Sequence, residues 1–265
     1  MGERSINIRL NKALGQNFLK SDRVSRRIVE SVELNPSSTI VEIGVGSGSL
    51  TSILLEKGLR VIGFEIDTRF SEGNRRLEGE RCELRYEDFL KADLSTLPDS
   101  VTYVANIPYY ITSPIIERIM FDGPSFDRAV LMVQKEYADR LTATPRTKEY
   151  GILTVNVNTF SEVRELFQVS RKEFIPQPEV DSMVIELSLL ENPPIGEARR
   201  DQYRKFVRHC FSQRRKKLKN NLKSIVDSPE ELLGSMAIGV DVRAEELSVD
   251  DFVSLFKNIY PEGGV

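Results

Sequence analysis

Four consecutive residues, Asn106-Ile107-Pro108-Tyr109, hold the densest chemistry in the sequence, and Tyr110 follows them. They close the apolar run Val104-Ala105, which reads as a buried strand. An X-Pro bond pushes the preceding residue toward extended geometry, and Pro108 has no donor for further pairing, so the strand must stop in a rigid tip. An amide, a carbonyl whose peptide has no competing N–H and two phenol rings pack poorly. They suit a flat ring bearing an amine, such as a nucleobase. An isolated Asn-x-Pro-Tyr is more often a plain strand end, so the neighbouring motifs must decide.

The strand Thr39 to Ile43 runs into Gly44-Val45-Gly46-Ser47-Gly48-Ser49, after which Leu50, Ile53 and Leu54 continue at helical spacing. Strand, bare turn, helix lets a ligand approach the carboxyl end of a sheet. A dinucleotide fingerprint requires Gly or Ala at Ser49, and no Gly-Lys-Ser/Thr follows for a P-loop. The pattern Glu42-x-Gly44-x-Gly46-x-Gly48 resembles the S-adenosylmethionine loop of class I methyltransferases. A second strand, Arg60 to Phe64, ends on Glu65, where a carboxylate accepts both ribose hydroxyls of an adenosine-bearing cofactor. A third, Leu84 to Tyr86, ends on Glu87-Asp88-Phe89, with Asp88 set to accept from an adenine amine.

These residues need a sheet to hold them, and the 265-residue chain is long enough to bury one. Hydrophobic content of 40% and charged content of 29% fit a soluble globular protein. No apolar run reaches membrane-spanning length and the N-terminus lacks a secretory profile, so a cytoplasmic protein without membrane attachment is expected. His209 is the single histidine and Cys82 and Cys210 the two cysteines, which excludes a disulfide framework, a histidine or cysteine metal cluster and a serine–histidine–acid triad. No metal is expected. The chemistry must come from a ligand already primed to react.

Further along, Pro114 to Phe121 (capped by Ser113) and Gln134 to Leu141 read as helices around a strand, Arg128 to Val133. Asp22 reads as the cap of an earlier helix, and Pro229 opens a last helical region ending near Tyr260. The segments 152–160, 163–170 and 183–190 look β-like, the last two as an antiparallel edge. Residues 142–150 read as a mobile loop and 191–198 as a linker. The net charge is −3, yet Arg199 to Lys223 holds eleven Lys or Arg against one Asp, and Asp227 to Glu262 nine acids against two bases. Segregation of this kind suggests a polyanionic partner, docked on a helix from Gln213 to Lys223 carrying Arg214, Arg215, Lys216, Lys217 and Lys219.

Taken together, the chain resembles the KsgA-type rRNA adenine dimethyltransferases, relatives of the Erm methyltransferases. The resemblance rests on Leu14-Gly15-Gln16-Asn17-Phe18-Leu19, Glu42 to Thr51, Glu65, Asp88, Asn106-Ile107-Pro108-Tyr109, Val133-Gln134-Lys135-Glu136, Phe174-x-Pro176-x-Pro178-x-Val180-Asp181-Ser182 and Arg214-Arg215-Lys216. One departure is Val45, where many relatives have proline. The resemblance implies an α/β fold: a Rossmann-like seven-stranded class I S-adenosylmethionine-dependent methyltransferase domain over residues 1–192, and a small helical RNA-docking domain over 199–265. It implies that Asn17, Leu19, Gly44, Gly46, Glu65, Ile66, Asp88, Phe89 and Asn106 line the cofactor site. Asn106, Ile107, Pro108 and Tyr109 would hold the target base, with Phe174 closing over it. The implied activity is methyl transfer from S-adenosylmethionine to N6 of two adjacent adenosines in a hairpin near the 3′ end of 16S rRNA. The implied partner is small-subunit rRNA in a pre-ribosomal particle, met by a monomer.

The residues fit such a reaction. Adenine N6 is a poor nucleophile because its lone pair is delocalised, while a sulfonium methyl needs no acid catalysis, so the protein must supply alignment and relief of developing positive charge. Asn106 Oδ1 and the Ile107 or Pro108 carbonyl accept the N6 hydrogens, and Tyr109 and Phe174 sandwich a flipped base. The rivals are an Erm-type large-subunit enzyme, a DNA adenine or protein glutamine methyltransferase (disfavoured by Ile107, where proline is usual), and an assembly factor without turnover.

Overall fold

The computed structural model describes residues 15–31, 35 and 37–262. The basic lead of Arg4, Arg9 and Lys12, together with Leu14, Val32 and Pro36, lies outside them. The chain divides into two compact units, Met1–Ala138 with Arg164–Leu189, and Asp139–Val163 with Leu190–Val265. The last of the three crossings, after Leu189, falls at the start of the expected linker. The first two do not: they place 139–163, assigned from sequence to the first domain, in the second unit.

The first unit begins with β1 (Phe18–Leu19), α1 (Asp22–Glu30), β2 (Thr39–Ile43), α2 (Ser49–Glu56), β3 (Arg60–Phe64), α3 (Ser71–Asn74), β4 (Cys82–Arg85), β5 (Ser100–Asn106), α4 (Thr112–Phe121) and β6 (Ser125–Gln134). After the start of α5 (Lys135–Leu141), the chain enters the second unit through α6 (Ile152–Phe160). It returns along β7 (Ser161–Val169), β8 (Phe174–Ile175) and β9 (Ser182–Leu189). The main sheet has seven strands in the order β4-β3-β2-β5-β6-β9-β7. The strands β2 to β6 run parallel to their neighbours and β9 antiparallel to β6. Every residue of β2 is buried, as expected for a central parallel strand covered on both faces. The expected pairing of the last two strands holds as adjacency, with β9 lying between β6 and the edge strand β7.

Strand order reverses at β2, whose successors build outward on one side while β5 and β6 build on the other. That switch point opens a crevice at the carboxyl ends of β2 and β5. Local caps shift by one and two residues from expectation: Ser21 precedes α1, and Ser113 lies inside α4, which starts at Thr112 after Ile111. Asp22 sits in the first turn instead, where its carboxylate accepts from Ser49 Oγ at 3.1 Å.

The second unit is helical: α6, then α7 (Arg200–Cys210), α8 (Leu218–Leu222), α9 (Pro229–Ser235) and α10 (Val249–Ile259). The expectation of a strand at 152–160 is wrong. Its β-branched residues mimic a strand, but Thr154, Val155, Asn156, Val157, Thr159 and Phe160 are all buried, and tertiary packing overrides so weak a propensity. Tyr203 of α7 stands edge-on to Phe160 and Phe256, and its hydroxyl lies 2.9 Å from Thr159 Oγ1. Residues 142–150 are not a free loop. Arg146 donates its amide to Glu245 O at 2.8 Å, and Tyr150 is buried. The basic helix is also shorter than expected: α7 ends at Cys210 and α8 starts at Leu218, so Arg214, Arg215 and Lys216 lie in the turn between them and Lys217 caps α8. Five cations in six positions repel along a helix face and solvate better in a turn. Among the described residues no helix is long and apolar enough to cross a membrane.

The core of β2 contains an acid. Glu42 is buried, accepts from Thr51 Oγ1 at 2.6 Å, and is pushed from 4.5 to about 8, first by desolvation. The folded state therefore binds a proton that the unfolded chain releases, and stability must fall as pH rises from about 4.5 to about 8. Glu42→Gln keeps the shape without the titration. Denaturant midpoints measured across that window should decline less in this variant than in the wild type, and parallel curves would mean that Glu42 stays ionised in the fold.

Candidate active site

A cavity of about 270 Å³ opens at the switch point, within the first unit. Its floor is the glycine turn after β2, where Gly44, Gly46 and Gly48 take φ of +83°, +55° and +76°. Side chains are excluded at two of them by space as well as by backbone: a Cβ at Gly46 would sit 2.8 Å from Phe18, and one at Gly48 2.3 Å from Leu77. Gly44 and Val45 donate their amides to Phe64 O at 2.8 and 3.2 Å. Val45, the departure from the family pattern, packs its side chain over Gly63, where an added Cβ would meet it at 2.5 Å.

Glu65 ends the next strand and is buried, and burial raises its carboxyl above the ordinary range. Its Oε2 accepts from Gly46 N at 2.7 Å and its Oε1 from Asp67 N at 2.8 Å, so the carboxylate holds the glycine turn in place. Asp67 behaves oppositely. Its hydrogen bonds from Arg69, helped by Gln16, hold it down at about 2. At the end of β4, Asp88 Oδ1 accepts from Leu90 N at 3.0 Å, and the Phe89 ring stands edge-on to Phe64 at 5.3 Å. Ile66 is exposed at the cavity wall.

The segment before α1 forms the opposite wall. Gln16 Nε2 donates to Asp67 Oδ2 at 2.7 Å, Asn17 Nδ2 to Gly15 O at 3.0 Å, and β1 pairs antiparallel with β8. Asn106, at the tip of β5, donates Nδ2 to Asn17 O at 3.2 Å. Its Oδ1 has no donor among the described residues. The Ile107 amide returns to β6 by donating to Met132 O at 3.1 Å, and Pro108 O already accepts from Ile111 N at 3.1 Å, which leaves the Ile107 carbonyl as the freer acceptor. The Tyr109 hydroxyl lies 2.6 Å from Ser182 Oγ, and burial raises its pKa.

The nine expected cofactor residues and Ile107, Pro108 and Tyr109 thus line a single cavity. Phe174 does not. It is completely buried, opposite Leu19 in the β1–β8 pair and in the core cluster with Ile28, Val104 and Met132. An aromatic ring beside a strand pair gains more from that core than from water, so the expected lid is a core residue in this conformation. Sequence reasoning missed two supports: Gln16, which anchors on Asp67, and Ser182, which fixes Tyr109. Both fell inside recognised motifs, but no spacing links either to its partner.

In the second unit, Arg214 pairs with Glu245 at 2.8 Å, Lys217 with Asp241 at 2.9 Å, and Lys219 with Glu230 and Asp241 at 3.5 Å each. Arg215 and Lys216 are exposed and form no ion pair among the described residues.

The chain matches the family described as ribosomal RNA adenine dimethylase over residues 7–260. It is 44% identical over 257 residues to ribosomal RNA small subunit methyltransferase A of Thermotoga neapolitana, covering 94% of this chain and 91% of that one. With the protein of the same name from Clostridium acetobutylicum it shares 39% identity over 262 residues, covering 96% and 95%. Among solved structures, a dimethyladenosine transferase from Plasmodium falciparum superposes with a TM-score of 0.74 at 28% identity, covering 91% of this chain and 98% of that one. The 23S rRNA methyltransferase ErmE gives 0.69 at 28%, covering 91% and 99%. With a seven-stranded sheet reversed at β2, a bare glycine turn beside an Asn-Ile-Pro-Tyr tip and a match over nearly its whole length, this chain belongs to the ribosomal RNA adenine dimethylase family of class I methyltransferases.

Proposed function

We propose that this protein transfers methyl groups from S-adenosylmethionine to N6 of two adjacent adenosines in a hairpin near the 3′ end of small-subunit rRNA, within a pre-ribosomal particle in the cytoplasm. The observation that carries this reading is the charge of the cavity. Among the described residues its lining contains four acids, Glu42, Glu65, Glu87 and Asp88, and no Lys, Arg or His. A cofactor with phosphates finds no cation there, whereas one with a sulfonium, an ammonium and ribose hydroxyls finds acceptors.

The donor set fits that cofactor part by part. Glu65 accepts from the ribose, Asp88 from the adenine amine, and Ile66 and Phe89 give the adenine apolar flanks. Asn17, Leu19, Gly44 and Gly46 border the remaining end. When bound, the cofactor supplies an electrophilic methyl group. The chain's own part is to align and to accept. In the first transfer Asn106 Oδ1 and the Ile107 carbonyl take the two N6 hydrogens, and in the second one of them takes the single hydrogen left. Each time this draws the lone pair toward the methyl and stabilises the positive charge on nitrogen until its proton is lost to solvent. Tyr109, fixed through Ser182, provides the stacking face. The identity of 38–44% to relatives named for the small subunit favours small-subunit rRNA. Arg215, Lys216 and Lys223 are the residues of this stretch available to phosphates, because Arg214, Lys217 and Lys219 already hold acids.

Glu65→Ala should weaken S-adenosylmethionine binding in calorimetry by about 2–3 kcal/mol, the cost of losing charge-assisted hydrogen bonds. Unchanged affinity would remove the ribose assignment. Asn106→Ala should lower the single-turnover rate at saturating subunits and cofactor by roughly 10²–10³-fold, as for loss of one preorganised polar group; a near-normal rate would sink the alignment mechanism. Replacing Arg215 and Lys216 together by Gln should flatten the plot of log affinity for pre-ribosomal subunits against log salt by roughly 0.7–0.9 for each phosphate that is no longer neutralised. The same change at Lys217 and Lys219 should flatten it less, and equal effects would show that the ion pairs with Asp241 do not persist on the RNA.

A further inference from the structure

Tyr110 is 56% exposed at the rim of the cavity, although it is a large aromatic residue. A lone exposed apolar side chain is ordinary. This one is backed and aimed. Its ring lies on Gly15, where an added Cβ would come within 2.7 Å of Tyr110 Cδ1, so the glycine leaves room for the ring. Its backbone forms the middle of a 3-10 turn, Tyr109–Ile111, fixed by Ile111 N on Pro108 O at 3.1 Å and by Thr112 Oγ1 on Tyr109 O at 3.1 Å.

Such a turn has three residues per revolution, so adjacent side chains diverge by about 120°. One base cannot stack on both tyrosines. Tyr109 is turned inward and tied to Ser182, while Tyr110 offers its free face to solvent. An unpaired base next to one drawn into the cavity arrives at that rim, and single-stranded RNA is held by aromatic platforms of this kind.

We propose that Tyr110 is a positioning residue that stacks the nucleotide adjacent to the target adenosine at the mouth of the cavity. This rests on the reading of the site as an rRNA adenine methyltransferase. The second adenosine of the pair is then held next to the one being methylated, which keeps it at hand for the following transfer.

The test uses the full chain, small ribosomal subunits lacking the dimethyl mark, and the variants Tyr110→Leu and Tyr110→Phe. Tyr110→Leu should raise KM for subunits roughly 5- to 100-fold, the range spanned by one base–aromatic stack. The loss should fall in KM and not in the saturating single-turnover rate, and Tyr110→Phe should restore wild-type behaviour because the ring and not the hydroxyl does the stacking. Calorimetry with S-adenosylmethionine alone should give the same affinity for both variants. A wild-type KM in Tyr110→Leu, a defect confined to cofactor affinity, or a Tyr110→Phe variant as impaired as Tyr110→Leu would each overturn the proposal. If the wild-type protein methylates no subunits, the functional reading falls and takes this proposal with it; if it does and Tyr110→Leu matches it, the proposal alone falls.

Discussion

The parallel register between β2 and β5 is the constraint on which the site depends. Ile43 stands opposite Ala105, so Gly44, the first residue past β2, and Asn106, the last of β5, follow side by side. A Cβ at Gly44 would lie 3.6 Å from Asn106 O. The glycine turn and the Asn-Ile-Pro-Tyr tip are therefore set against one another by a hydrogen-bonded ladder in the core and not by two independent loops. A slip of one residue would turn every side chain of β5 to the opposite face and move Asn106 off the crevice. Methyl transfer between two bound groups demands that kind of fixed spacing, because its rate depends on near-attack alignment more than on acid or base strength. One histidine in the whole chain is enough for such an enzyme.

Charge is sorted between the units to match. The cavity of the first unit is lined by acids without cations among the described residues, while the second unit carries the Arg199 to Lys223 stretch. That stretch is not uniformly free. The acids that follow it in sequence return as partners: Asp241 for Lys217 and Lys219, and Glu245 for Arg214. Exposed pairs of this kind contribute little to stability. Their effect is to hold side chains in place and to offset part of the charge of the stretch, while Arg215, Lys216 and Lys223 are exposed and form no ion pair among the described residues.

Much of this was legible in the sequence because it is local. Glycines at alternate positions after an apolar strand announce the bare turn at the cavity, acids at strand ends announce its acidic lining, and Asn-Ile-Pro-Tyr announces a rigid tip. The misreadings arose where tertiary burial decides. Residues 152–160 are rich in Val, Ile and Thr and look like a strand until nearly all of them are found buried in a helix. Phe174 sits in a motif that suggests a lid, yet β1 and β8 pair and draw it into the core. The run from Gln213 to Lys223 has helical apolar spacing, but its cation density breaks the helix at the turn before Leu218. Likewise, the bonds from Gln16 to Asp67 and from Tyr109 to Ser182 join residues 51 and 73 apart, separations over which no pattern in one sequence carries information.

Three neighbouring acids show how the site trades stability for a binding surface. Asp67 is held ionised by the Arg69 guanidinium and does not line the cavity. Glu42 and Glu65 do line it, and neither has a cation partner among the described residues; burial raises both, and each lies close enough to another carboxylate to be raised further. Replacing either by an apolar residue would relieve the folded chain of a desolvated acid. The sequence instead keeps both, one protonated against Thr51 and the other engaged by the Gly46 and Asp67 amides. A cationic ligand that bound beside these acids in the folded state alone would stabilise the protein, and by more the further its concentration exceeded its dissociation constant. The two carboxyls are costly because they are desolvated, and a cation from the chain beside them would have offset that cost and occupied part of the cavity.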